Sequence, residues 1–212
     1  MARKDRTGNR KTREQRKQFK VPELGYYLIV TDTEATERCF FTGLHQALPE
    51  DVRNKLVIKV VETKTRTMID KCLELTAYDA QYRIPWIVFD RDQVQGFDEI
   101  IKEAEDKGIQ VGWSNPCFEI WLLYHTRANL EGLDFNTAQK CKTLLNDETP
   151  GGYNPKSYVL LVKNAMNNAK NADKFKSWYP IIGNTTMYEL IESLMQFVSV
   201  KEFEEFISKR LY

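Results

Sequence analysis

The chain has 212 residues, 42% hydrophobic and 12% aromatic, enough to build one core with an appendage. No apolar run approaches the roughly 20 residues that a membrane-spanning helix needs, and the first twenty residues lack the apolar segment of a secretory signal. The formal net charge of +1 conceals a division: residues 1–20 hold nine Lys or Arg against Asp5 and Glu14, a net of +7, and the remainder carries −6.

Residues 1–22 therefore form a basic arm, read as unstructured. Its Arg3, Lys4, Arg6, Arg10, Lys11, Arg13, Arg16 and Lys17 can bind nucleic acid by counterion release. An acidic protein surface is the alternative partner. The four cysteines (Cys39, Cys72, Cys117 and Cys141) show neither a C-x-x-C spacing nor a zinc-like His neighbour. That points to reduced thiols, mostly core fillers, and to a cytoplasmic location.

After a breaker segment at 21–25, Tyr26–Thr31 is a continuous apolar run of strand length. A helix over 34–48 follows, with Phe40, Phe41, Leu44 and Leu48 as its apolar stripe and either Asp32 or Thr33 as its cap. The second strand is Leu56–Val61, and a helix spans 67–82. The third strand, Ile84–Phe89, runs into Asp90-Arg91-Asp92. The spacing predicts a helix over 97–107, stopped by Gly108, and then a strand over 109–113. Asn115 as N-cap and Pro116 at N1 predict a helix over 117–125.

This alternation implies an α/β, Rossmann-like parallel sheet of about four strands flanked by helices, over residues 23–126. Residues 127–212 read as a helical C-terminal part packed on that domain. Helical spacing there covers 135–146 and 158–171, and a last long helix starts after Thr186.

Ligands of an open α/β sheet bind at the C-terminal ends of its strands. Three strands end in acids or amides there: Asp32 with Glu34 and Glu37 behind it, Asp90 with Asp92, and Ser114-Asn115 with Glu119 one turn on. A single strand-end aspartate serves equally as a turn former or helix cap, and Glu34 and Glu37 suit a first helical turn without any function. Carboxylates converging on one edge repel each other unless a divalent cation, Mg²⁺ or Mn²⁺, neutralises them. Such an ion polarises a phosphoryl group and activates water. A Cys117–His125 pair is the alternative chemistry, against the reading of Cys117 as a core thiol. No Gly-rich phosphate-binding motif occurs. The phosphatase form of Asp-x-Asp continues with Gly-Thr, whereas Gln93-Val94 follow here.

Three segments, joined by a fourth near the end, carry a resemblance. They are Val30-Thr31-Asp32-Thr33-Glu34-Ala35-Thr36-Glu37, Phe89-Asp90-Arg91-Asp92 and Ser114-Asn115-Pro116-Cys117-Phe118-Glu119, with Asn184-Thr185-Thr186. In these the chain resembles the RloB-like family, which has a Toprim-like fold and includes an abortive-infection protein. The resemblance implies a Mg²⁺-dependent nuclease, the effector of a two-gene anti-phage system beside an SMC/ABC-type ATPase. Its substrate would be DNA or RNA, with tRNA cut by some similar effectors, and it allows a homodimer. Carried over, Asp90 and Asp92 become metal ligands and Glu119 a third acid. The family's Cys-Glu-Gly-Glu stands here as Thr31-Asp32-Thr33-Glu34, so Asp32 takes the place of the Toprim glutamate and Glu34 or Glu37 can compensate for its shorter reach. A catalytically degenerate regulatory or binding subunit is the competing reading.

Overall fold

The computed structural model describes residues 25–32, 35–77, 83–92, 94–149, 154–172 and 181–197. The basic arm, Thr33 and Glu34 lie outside them. Four strands, β1 (Gly25–Thr31), β2 (Leu56–Glu62), β3 (Arg83–Asp90) and β4 (Gln110–Ser114), form one all-parallel sheet in the order β2-β1-β3-β4. The α/β, Rossmann-like architecture expected from the alternation of elements is what the chain adopts.

Side-chain alternation along the strands divides the core. Tyr27, Ile29, Trp86 and Val88 face one layer, built from α1 (Thr36–Ala47), α2 (Glu50–Arg53), α5 (Glu119–Thr126) and the later helices. Leu28, Val30, Ile87 and Phe89 face the other, covered by α3 (Met68–Ala77) and α4 (Phe97–Asp106). Both faces are apolar, as helices on both sides of a parallel sheet require. The later helices are α6 (Ala138–Glu148), α7 (Pro155–Leu160), α8 (Val162–Ala172) and α9 (Met187–Met195). They share the first core layer, where Leu145, Val159, Val162, Leu190 and Ile191 pack with α1 and α5. Phe40 sits at the centre of that layer, edge-on to Phe41, Phe118, Trp121 and His125. Among the described residues no helix is long and apolar enough to cross a membrane.

Several local expectations need correcting. Asn115 does not cap a helix, and Pro116 does not open one: α5 begins at Glu119, after Phe118. The backbone of Asn115 is engaged elsewhere. Its N–H donates to the Asn184 carbonyl at 2.9 Å, and its carbonyl accepts from Gly183 at 2.7 Å. Ser114 and Thr185 form an antiparallel bridge, and the Thr186 N–H donates to the Trp113 carbonyl. The segment around Asn184-Thr185-Thr186 thus covers the outer edge of β4, which would otherwise present unpaired backbone groups. Nor does Asp32 cap α1, which starts at Thr36 behind Ala35 with no side-chain cap. The helix expected over 67–82 begins as a 3₁₀ turn, Thr65–Thr67, and is followed to Ala77. The continuous helix expected over 158–171 is two helices with a break at Leu161.

Candidate metal centre

Strand order reverses direction between β1 and β3: the chain goes to one side for β2 and to the other for β3 and β4. That switch point leaves a crevice at the C-terminal strand ends. Asp32 follows β1 and Asp90 ends β3, so the two carboxylates flank the crevice. The Asp90 N–H donates to Oδ2 of Asp32 at 3.5 Å, and the Thr65 hydroxyl donates to the same oxygen at 3.3 Å. Oδ1 of Asp32 is buried with no hydrogen-bond partner. Oδ1 of Asp90 accepts the N–H of Phe118 at 2.8 Å. The loop after β3 is held against the end of β4 and the segment leading into α5, since the Arg91 N–H donates to the Ser114 carbonyl and the Asp92 N–H to the Pro116 carbonyl.

The electrostatics follow from burial and crowding. Burial, together with the charges of Asp32, Glu37 and Glu119, pushes the Asp90 carboxyl up to about 9, against the opposing Phe118 amide. Burial also raises Asp32. The Asp90 amide and Thr65 hydroxyl act against that rise, and Asp92 adds to it. Glu37, in the first turn of α1, and Glu119, at the start of α5, are both buried, at 2% and 5% exposure. Asp92 is exposed at the rim. Five of the six acids singled out in the sequence therefore lie in one electrostatic neighbourhood. The sixth, Glu34, is outside the described residues, as are all eight basic positions of the arm.

Among the described residues, no three His, Cys, Asp or Glu side chains form a ready-made coordination group. Mg²⁺ needs none, because it takes one or two carboxylates and keeps several waters. Asp32 and Asp90 supply that number, and the unsatisfied Oδ1 of Asp32 has a lone pair to give. The donor set fits a hard divalent cation.

The carboxylates open into a cleft of about 710 Å³ whose lining includes Asp32, Asp90, Asp92, Lys64, Thr65, Arg66 and Lys142. The last four carried no signal as isolated residues. Lys64–Arg66 lie in the connection just past the end of β2, on the edge that carries Asp32, and that position is the signal by which they could be found. Lys142 reaches the cleft only because α6 folds back toward the sheet.

The Cys–His alternative fails on burial. A hydrogen bond with Cys141, then desolvation and the Glu119 charge, raise the Cys117 thiol and keep it protonated. Burial lowers His125 to about 4, and its Nδ1 is bonded to the Trp121 carbonyl at 2.9 Å. His45 is similarly occupied, its Nε2 lying 2.8 Å from the Leu56 carbonyl.

No curated protein and no solved structure gives a significant match to the chain. The sequence pattern of the family described as RloB-like protein matches residues 27–194, well over half of the chain, and includes every segment that builds the crevice. The chain belongs to the RloB-like protein family.

Proposed function

We propose that the protein is a Mg²⁺- or Mn²⁺-dependent nuclease centred on Asp32 and Asp90, and the effector of an ATPase-paired anti-phage system. One observation carries the reading: two strand-end carboxylates meet at the switch-point crevice, with an oxygen of Asp32 buried and unsatisfied. A bound divalent cation supplies charge neutralisation, polarisation of a phosphoryl oxygen and activation of a water. Asp32 and Asp90 would hold it, with Asp92 at the rim. The Phe118 amide orients Asp90, and the Thr65 hydroxyl and the Asp90 amide orient Asp32, so both carboxylates are set before any ligand arrives. Glu37 and Glu119 deepen the negative potential at Asp90. Family membership supports the defence role, because RloB-like proteins resemble effectors beside SMC/ABC-type ATPases, and some similar effectors cut tRNA.

Purified protein incubated with plasmid, single-stranded DNA, mRNA and total tRNA tests the reading. Cutting is expected with Mg²⁺ or Mn²⁺, but not with EDTA and not by Asp90→Ala/Asp92→Ala. No cutting of any substrate, even with the cognate ATPase present, sinks it. The second reading, a non-catalytic binding subunit, rests on Asp32-Thr33 standing where the family pattern has Glu-Gly. Nucleic-acid binding without metal-dependent cutting would select it.

A further inference from the structure

We propose that Lys64 and Arg66 on the turn after β2, together with Lys142 of α6, form a cationic wall that grips the phosphate backbone of a nucleic-acid strand beside Asp32 and Asp90. For what is cut, the inference rests on the nuclease reading. For what is gripped, it stands on the geometry of the cleft.

All three cations are exposed and line the same cleft as the three aspartates. Four lysines outside the cleft are neutralised, Lys71 by Glu74, Lys107 by Glu103, Lys140 by Asp134 and Lys170 by Glu192, whereas Lys59 and Lys102, also exposed and unpaired among the described residues, do not line it. Among the described residues, Lys64 and Lys142 have no such partner. The side chain of Arg66 bonds only the neutral amide of Gln95, at 3.4 Å. The contrast is sharpest on α6, where Lys140 is paired and Lys142, two residues on, is not.

The turn is also pre-formed. Thr67 returns its N–H to the Lys64 carbonyl at 2.8 Å and its hydroxyl to the same oxygen at 3.0 Å. Thr63 is tied to the end of β1 through the Thr31 carbonyl at 2.9 Å. Thr65, bonded to Asp32, stands between Lys64 and Arg66, so the two cations bracket the residue that touches the acidic site. Carboxylates alone repel a polyanion. A wall of unneutralised cations across the cleft supplies the attraction and fixes where the backbone runs, as phosphate contacts do for nucleic-acid proteins generally. Because Lys142 belongs to the C-terminal half, that half contributes directly to substrate binding.

The test is fluorescence anisotropy in EDTA with three labelled probes: a single-stranded oligonucleotide, a duplex of the same sequence and a tRNA. It compares the wild-type chain, Lys64→Ala/Arg66→Ala/Lys142→Ala and a control, Lys71→Ala/Lys107→Ala/Lys170→Ala, which loses the same charge outside the cleft. For every probe the wild type binds, the cleft variant should bind at least about tenfold more weakly, and its log–log salt slope should be shallower by about 2–3. The control should keep the wild-type slope. A thermal melt matching the wild type shows that the exposed substitutions leave the fold intact. Unchanged affinity and slope in the cleft variant, an equal loss in the control, or no binding of any probe by the wild type would each overturn the wall. Loss of binding in the cleft variant, in a protein that cuts nothing with Mg²⁺, keeps the wall and removes the nuclease. Cutting with binding unaffected by the cleft variant does the reverse.

Discussion

The backbone amide of Phe118 donates a 2.8 Å hydrogen bond to Oδ1 of Asp90, so one carboxylate both flanks the crevice and anchors the start of α5. The two roles separate by substitution. Asp90→Asn keeps an oxygen for the Phe118 amide and removes the carboxyl that must ionise, against burial and its acidic neighbours, to hold a cation. In EDTA it should melt at or above the wild-type temperature and show no gain on adding Mg²⁺. Asp90→Ala leaves a part-buried amide unsatisfied, at a cost of about 1–3 kcal/mol, and should melt below Asp90→Asn. Equal melting of the two variants would remove the anchoring role.

A carboxyl held at about 9 must lose its proton before it can bind a cation. Mg²⁺ affinity should therefore strengthen as pH rises toward 9 and weaken below it. The sign for stability is opposite. Without the ion, the folded state keeps a proton that the unfolded state releases above the ordinary value of 3.8, so Asp90 makes stability fall with rising pH across that window. Asp32, also raised, acts in the same direction. Melting in EDTA near neutral pH and near pH 9, repeated with Mg²⁺, should show a decline that the ion reverses most at the higher pH.

His125 works on the acid side. Its ring is buried against Phe40, Trp121 and Tyr158, and its folded value of about 4 lies below the ordinary 6.5. The unfolded state binds the extra proton between those values, so the stability that neutral His125 contributes is complete above 6.5 and is lost as pH falls toward 4. His125→Phe keeps an aromatic ring and cannot titrate. Its acid-unfolding midpoint should lie below that of the wild type.

Thr65 touches no ligand in this account; its hydroxyl positions Asp32. Outer-shell partners of this kind are worth about 10–100-fold in metal affinity. Thr65→Val should weaken Mn²⁺ binding by about that factor, read by calorimetric titration, and Thr65→Ser should restore it. Equal affinity in all three proteins would show that Asp32 needs no such support.

The sheet and the acidic edge were legible because short apolar runs ending in Asp32, Asp90 and Ser114 fix both the strands and the edge on which their last residues gather. Longer-range choices were not. Asn115 has the chemistry of a helix cap, and only pairing with residues 183–185, about seventy positions away, takes its backbone for another purpose. Glu37 reads in the sequence both as a site acid and as an ordinary first-turn acid, and its burial near Asp90 depends on how α1 lies on the sheet. Lys142 gains its place only through the docking of α6. Asn115, Glu37 and Lys142 each have a place set by a distant partner rather than by their neighbours in sequence.

The most direct measurement is cleavage by Asp32 variants under identical Mn²⁺ and Mg²⁺ conditions, on whichever nucleic acid the wild type cuts. Asp32→Asn removes the ligand charge while keeping the shape and should abolish cutting. Asp32→Glu, which restores the longer acid of the family pattern, should cut at least as fast as the wild type. Cutting by Asp32→Asn at the wild-type rate would contradict a metal-dependent site built on Asp32 and Asp90.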